Sequence, residues 1–172
     1  MTEQAPVSVS QSDISSLSQT GIGALLRPEL VVHDLEVGSR KRLFEELSHL
    51  ISASDFGNEL ELDSEQVFDI LHERERLGCT GVGKGIALPH GRMEGLETPI
   101  IAMIRLAEPI DYDAPDGEPV WLAVCLLVPA EANEIHLNLL ADLAARFSDQ
   151  DFVEQVYSAE DSEALASLFD GP

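Results

Sequence analysis

Residues 78–92, GCTGVGKGIALPHGR, gather five glycines, two basic side chains and one histidine into fifteen positions. His90 offers an imidazole that is uncharged near neutral pH. One of its nitrogens can attack phosphorus while the other keeps its proton. Between positions 74 and 92 stand Arg74, Arg76, Lys84 and Arg92, against Glu75 alone. Cations beside flexible backbone are what a phosphate dianion requires, so Arg74, Arg92, Gly83 and Gly85 are candidate phosphate ligands. Pro89 fixes the chain direction, and Gly91 leaves room for another molecule to approach the ring. Two plainer readings stay open. His90 also suits a structural corner, and Arg74 and Arg76 also suit pairs with Glu73 and Glu75 on a solvated helix face.

A second candidate is His136, in NEIHLNLLADLAARF. It shares a helical stripe with Leu140, Leu143 and Phe147, which suits a core-facing ring. It also falls in the first turn of that helix, where backbone N–H groups favour anions and a neutral imidazole can donate to a phosphoryl oxygen. The spacing leaves both readings open.

Other chemistries fit less well. Residues 78–84 follow the P-loop pattern as far as Lys84, but Gly85 stands where a magnesium-binding Ser or Thr is required. The order is also reversed, since a helix precedes this segment and a strand follows it. The dinucleotide fingerprint lacks its third glycine. The five histidines and two cysteines show no CxxC, HxxxH or HExxH spacing, so no metal is expected. Cys79 reads as a small loop residue. Cys125, inside VWLAVCLLV, reads as a buried thiol.

These residues need elements to hold them. SRKRLFEELSHLIS spaces Leu43, Phe44, Leu47, Leu50 and Ile51 as one helical face, with Ser39 as N-cap. A second helix starts at Asp63, with Gln66 at capping-box spacing, and Gly78 suits its C′ position. PIIAMIRLA and PVWLAVCLLV read as strands, the second apolar enough to be central, and DAPDGEP supplies the turn between them. Helices follow at about 133–147 and through EDSEALASLF. This order predicts an α/β fold, a single-domain α/β/α sandwich with a central mixed β-sheet flanked by helices. Residues 1–21, rich in Ser and Gln, are expected to form a flexible N-terminal extension to a domain over 22–170.

With 172 residues, 44% hydrophobic and 24% charged, the composition is that of a globular domain. Ten Lys and Arg against 32 Asp and Glu give a formal charge of −22. That surface repels nucleic acid and anionic membranes, and favours basic partners; a well-solvated surface with no particular partner, or adaptation to salt, stays open. No apolar run reaches the roughly 20 residues of a membrane helix, and the N-terminus lacks a signal peptide's basic start and apolar core. A cytoplasmic protein without a membrane span is expected.

At RERLGCTGVGKGIALPHGR the chain resembles the fructose/mannitol-type enzyme IIA domain of the bacterial phosphoenolpyruvate-dependent phosphotransferase system, most closely its nitrogen-regulatory branch. The likeness runs from about residue 24 to 168 and includes EPIDYDAPDGEPVWLAVCLLVPA and HLNLLADLAARFSD. TGxGxGIAxPH is its specific part. The resemblance implies that His90 carries the phosphoryl group, that Arg74 helps bind phosphate, and that His136 lies beside the phosphorylated ring. It also implies a mixed sheet between helices and phosphate arriving from an HPr/NPr-type phosphocarrier protein, with no cofactor, metal or nucleotide. Asn138 stands where some members carry a second histidine, and Arg92 replaces a frequent lysine with the charge kept. A nitrogen-regulatory member signals to target proteins, unknown here, through its phosphorylation state. The alternatives are a sugar-specific IIA passing phosphate to a IIB domain, and an interaction module of the same fold without phosphorylation. A homodimer stays open.

Overall fold

A computed structural model describes residues 22, 23, 25–131 and 133–169, with the side chains of 133 and 135–137 outside that description. The extension expected over 1–21 also lies outside the described residues. The elements run β1 (Leu26–Leu35), α1 (Arg40–Ala53), α2 (Asp55–Glu59), α3 (Ser64–Leu77), β2 (Gly81–Gly83), β3 (Ile86–Ala87) and β4 (His90–Met93). They continue with β5 (Ile100–Ile110), β6 (Val120–Pro129), α4 (Asn133–Phe147), α5 (Gln150–Ser158) and α6 (Ser162–Ser167).

Local chemistry places the helix starts where the sequence predicts them. Ser39 Oγ accepts from the Arg42 N–H at 3.1 Å, and Asp63 Oδ1 accepts from the Glu65 N–H at 3.1 Å, each satisfying a donor the first turn leaves unpaired. Gly78 does end α3, but with φ 165° its backbone is extended rather than left-handed.

The sheet order is β1-β5-β6-β3-β2, with β4 also on β6. β1 runs parallel to β5, β5 antiparallel to β6, and both β3 and β4 parallel to β6, so the sheet is mixed as expected. All ten residues of β6 are buried, which explains its continuous apolar run. On one face Leu43, Phe44, Leu47 and Ile51 of α1 and Val67 and Leu71 of α3 pack against Ala87, Ala102, Ala123 and Cys125. On the other, Leu139, Leu143 and Phe147 of α4, Val153 and Val156 of α5 and Leu165 of α6 cover Ile86, Leu88, Ile101, Val124 and Leu126. This is the α/β/α sandwich. Burying each Leu, Ile, Val or Phe among them contributes on the order of 1.5–3 kcal/mol. Among the described residues no helix is long and apolar enough to cross a membrane.

The site is built on β3 and β4. They keep one register against β6, from Ile86 opposite Leu122 to Met93 opposite Pro129. Leu88 and Pro89 interrupt the strand between them. The Leu88 N–H turns to the Thr80 carbonyl at 2.9 Å, while the Pro89 carbonyl accepts from the Leu126 N–H at 2.9 Å.

Candidate active site

His90 opens β4 with its ring half-buried. Its Nδ1 lies 2.7 Å from the Leu88 carbonyl, and the Arg74 Nε–H donates to its Nε2 at 3.2 Å. A carbonyl only accepts and a guanidinium only donates, so the pair of contacts fixes the tautomer: the proton is on Nδ1 and the lone pair on Nε2. Burial, first, pushes the imidazole below its ordinary value of 6.5, and the Arg74 cation adds to that; the Leu88 hydrogen bond and the Glu75 charge oppose it. An uncharged ring whose Nε2 lone pair faces a cation is equipped to attack phosphorus.

Arg74 reaches this position from the last turn of α3. Its Nη1 donates to the Gly78 carbonyl at 2.8 Å, so the guanidinium is held at two points. The helix-face pairing that the sequence also allowed falls to its neighbours. Arg76 pairs with Glu73 at 3.2 Å, and Glu75 turns inward to Arg40 at 3.4 Å. Gly91 has a different use from the one its position suggested. A Cβ there would sit 2.4 Å from Ile70 Cγ2, so its bareness admits α3 against β4. Arg74 lies one turn beyond Ile70, and this close approach brings it to His90.

The structure divides the remaining candidates. Arg92 is exposed two positions beyond His90 on the same strand, where side-chain alternation returns to the same side at about 7 Å. Gly83 and Gly85 belong to a β-hairpin. Lys84 and Gly85, at φ 61° and 80°, form the two-residue turn between β2 and β3, the left-handed pair that such hairpins use. The Gly85 carbonyl accepts from the Trp121 and Leu122 N–H groups, whereas His90 lies opposite Leu126, about 13–16 Å further along β6. The structure therefore does not bring the hairpin turn to His90. Lys84 points elsewhere too, its Nζ donating to the Ser148 carbonyl at 3.2 Å. His136 falls in the first turn of α4, on the helical layer covering the Leu88 face of the sheet; its side chain lies outside the described residues.

Sequence reasoning passed over the groups beneath the site. The Glu75 carboxylate accepts from the Thr80 N–H at 3.0 Å, the Thr80 hydroxyl at 2.5 Å and the Tyr112 hydroxyl at 3.2 Å. Tyr112 and Arg40 come from distant parts of the chain, and no spacing rule links them to Glu75. Cys79 is half-buried, its thiol pushed up chiefly by burial, and Cys125 is fully buried, pushed up to about 12. Among the described residues no three His, Cys, Asp or Glu side chains group as metal ligands would.

Residues 24–171 match the family described as "Phosphoenolpyruvate-dependent sugar phosphotransferase system, EIIA 2". A "Nitrogen regulatory protein" of Pseudomonas aeruginosa is 42% identical over 145 residues, 84% of this chain and 91% of that protein. A "PTS system fructose-specific EIIA component" of Haloferax volcanii is 38% identical over 106 residues, 62% of this chain and 69% of that protein. The crystal structure of Nitrogen Regulatory Protein IIA-Ntr from Neisseria meningitidis superposes with a TM-score of 0.80 at 42% identity, covering 86% of this chain and 98% of that one.

Proposed function

The chain belongs to the EIIA 2 family of the phosphoenolpyruvate-dependent sugar phosphotransferase system, and we propose that it is a phosphocarrier accepting a phosphoryl group on His90 Nε2. The observation that carries this is the two-sided hold on one ring: Leu88 fixes the Nδ1 proton at 2.7 Å while Arg74 faces Nε2 at 3.2 Å. The domain over 22–170 provides the site, and the donor is the phosphohistidine of an HPr/NPr-type carrier.

In the transfer, the Nε2 lone pair forms the new N–P bond as the donor's N–P bond breaks and its electron pair returns to the donor ring. The Nδ1 proton stays on His90, so the phosphorylated ring is cationic and leans on the Leu88 carbonyl. Arg74 must release Nε2 as phosphorus arrives. Its guanidinium then meets the equatorial phosphoryl oxygens, whose charge it offsets. Arg92 supplies a second cation on the same side of the strand. His136, in the first turn of α4, is the group proposed to donate to a phosphoryl oxygen.

Similarity to nitrogen regulatory proteins over 84–86% of this chain favours a signalling role, in which the added charge of about −1.5 to −2 at His90 changes which target proteins bind. The shorter match to a fructose-specific component favours, as a second reading, onward transfer to a IIB domain. Incubation with phosphoenolpyruvate, enzyme I and carrier, followed by mass measurement, tests the reading. One acid-labile phosphoryl group is expected, absent in His90→Ala and present in His136→Ala. An adduct persisting in His90→Ala removes His90 from its role. Pull-downs with the two phosphorylation states then separate signalling from transfer to a IIB partner.

A further inference from the structure

Glu75 is the most buried carboxylate beside the site, with a side chain 4% exposed. Taking a carboxylate out of water is costly unless its oxygens are met. Here both oxygens are met, and by groups outside α3. Thr80 donates its backbone N–H and its hydroxyl, Tyr112 its hydroxyl, and Arg40 approaches at 3.4 Å. Arg40 is itself held, donating to the Tyr112 carbonyl at 2.9 Å. Burial, first, keeps the Tyr112 phenol protonated well above its usual range, so it stays a donor; the hydrogen bond with Thr80 opposes that shift.

From Glu75 two arms run to the site, one from its carboxylate through Thr80 and one from its main-chain carbonyl through Gly78. In one, the Thr80 carbonyl accepts from the Leu88 N–H at 2.9 Å, and the Leu88 carbonyl holds His90 Nδ1 at 2.7 Å. In the other, the Glu75 carbonyl accepts from the Gly78 N–H at 3.2 Å, and the Gly78 carbonyl holds Arg74 Nη1 at 2.8 Å. An apolar pair would fix the loop with less desolvation, but it would not orient the Thr80 main chain that holds Leu88. We propose that the Glu75 carboxylate and Thr80 are positioning residues for phosphoryl transfer: together they fix the segment whose Thr80 carbonyl holds Leu88, and so set the Leu88 carbonyl that selects the His90 tautomer. This rests on the reading of His90 as acceptor and adds two residues that touch neither phosphorus nor donor.

Thr80→Val keeps the shape and both backbone bonds but removes the hydroxyl from Glu75 and Tyr112. The full-length variant is compared with wild type and Thr80→Ser by imidazole 15N spectra, thermal melting and transfer rate from the phosphorylated carrier. Wild type is expected to show the Nδ1-protonated tautomer. Thr80→Val should fold, show a mixture of tautomers, and transfer roughly 10- to 100-fold more slowly, as small misplacements of reacting groups do. Thr80→Ser should recover tautomer and rate together, and Glu75→Gln, which turns a donor towards donors, should move both the same way as Thr80→Val. A Thr80→Val protein with the wild-type tautomer at the wild-type rate overturns the proposal. So does one whose rate falls only with its folded fraction while the tautomer stays fixed. Wild-type protein that takes no phosphoryl group overturns the acceptor reading instead; the spectra need no donor and still decide the positioning.

Discussion

As the proposed acceptor, His90 would react only while it is neutral, and its surroundings set the pH at which that ends. Burial and the Arg74 cation hold the ring below 6.5, against the opposing pull of Leu88 and Glu75. The acid limb of the transfer rate is therefore expected to have its midpoint below 6.5, read beside an NMR titration of the ring. Folding stability follows with a definite sign. Between the folded and unfolded values the unfolded chain binds more protons, so this contribution is present above 6.5 and is lost as pH falls through the window towards the folded value. A midpoint above 6.5 in either measurement contradicts the buried, cation-facing ring. Arg74→Ala gives a coupled outcome at the same scale. Transfer should fall by about 100-fold or more with the loss of the charge that meets the phosphoryl oxygens. The ring's own titration should move up, because a repelling cation has gone. Stability should change by no more than about 1 kcal/mol, since Arg74 is partly exposed and is joined to no carboxylate among the described residues. Arg74→Lys keeps the charge but cannot hold Nε2 and the Gly78 carbonyl at once, so it should recover little.

At the scale of elements, the contact of α3 with β4 is the assembly step for the site. Gly91→Ala drives a Cβ into Ile70, an overpacking expected to cost about 1–3 kcal/mol and to push Arg74 away from His90. Melting and transfer rate should both fall. Adding Ile70→Ala should restore part of each, a non-additivity that a double-mutant cycle measures; simple additivity would mean that Gly91 matters for another reason. Gly85→Ala separates the hairpin from the phosphate. Its Cβ would lie 2.2 Å from Trp121 Cδ1 at a φ of 80°, so the hairpin should lose stability while the folded fraction transfers normally. A specific transfer defect without loss of stability would return Gly85 to the phosphate site. The contrast between these two glycines shows what the sequence could disclose. Ser39 and Asp63 were legible as caps because capping is local, and β6 as a central strand because burial on both faces leaves a continuous apolar run. The opening strand β1 was not, since Pro28 and register shifts break its pattern. The glycine-rich segment reads alike as loop or hairpin until Ile86 and Ala87 are seen paired with β6. The α/β/α order could be read along the chain, and His90 and Arg74, both singled out there, are brought together by the fold. The roles of Glu75, Thr80 and Tyr112 could not be read there, because they exist only where α1, α3 and the end of β5 meet.

Across the whole molecule the charge of −22 acts on folding and on encounter with opposite signs. Like charges crowded on one compact surface repel each other, and they repel less in the expanded chain. Added salt shortens the reach of that repulsion, from about 30 Å at 0.01 M to about 3 Å at 1 M. The thermal midpoint is therefore expected to rise with NaCl across that range. Encounter with the proposed carrier, if basic, would be drawn by the same field and should slow over the same titration, with the association rate falling while the intrinsic transfer step stays constant. The basic cluster around His90 refines this expectation. With the phosphoryl group on His90 as proposed, Arg74 and Arg92 would offset its charge locally, and the salt response of the phosphorylated form should stay close to that of the unmodified one. Arg92→Glu should separate the two forms, making the phosphorylated protein the more salt-dependent in melting. A thermal midpoint that falls with NaCl would mean that local ion pairs outweigh the net charge, and the carrier would then find its site by shape rather than by field.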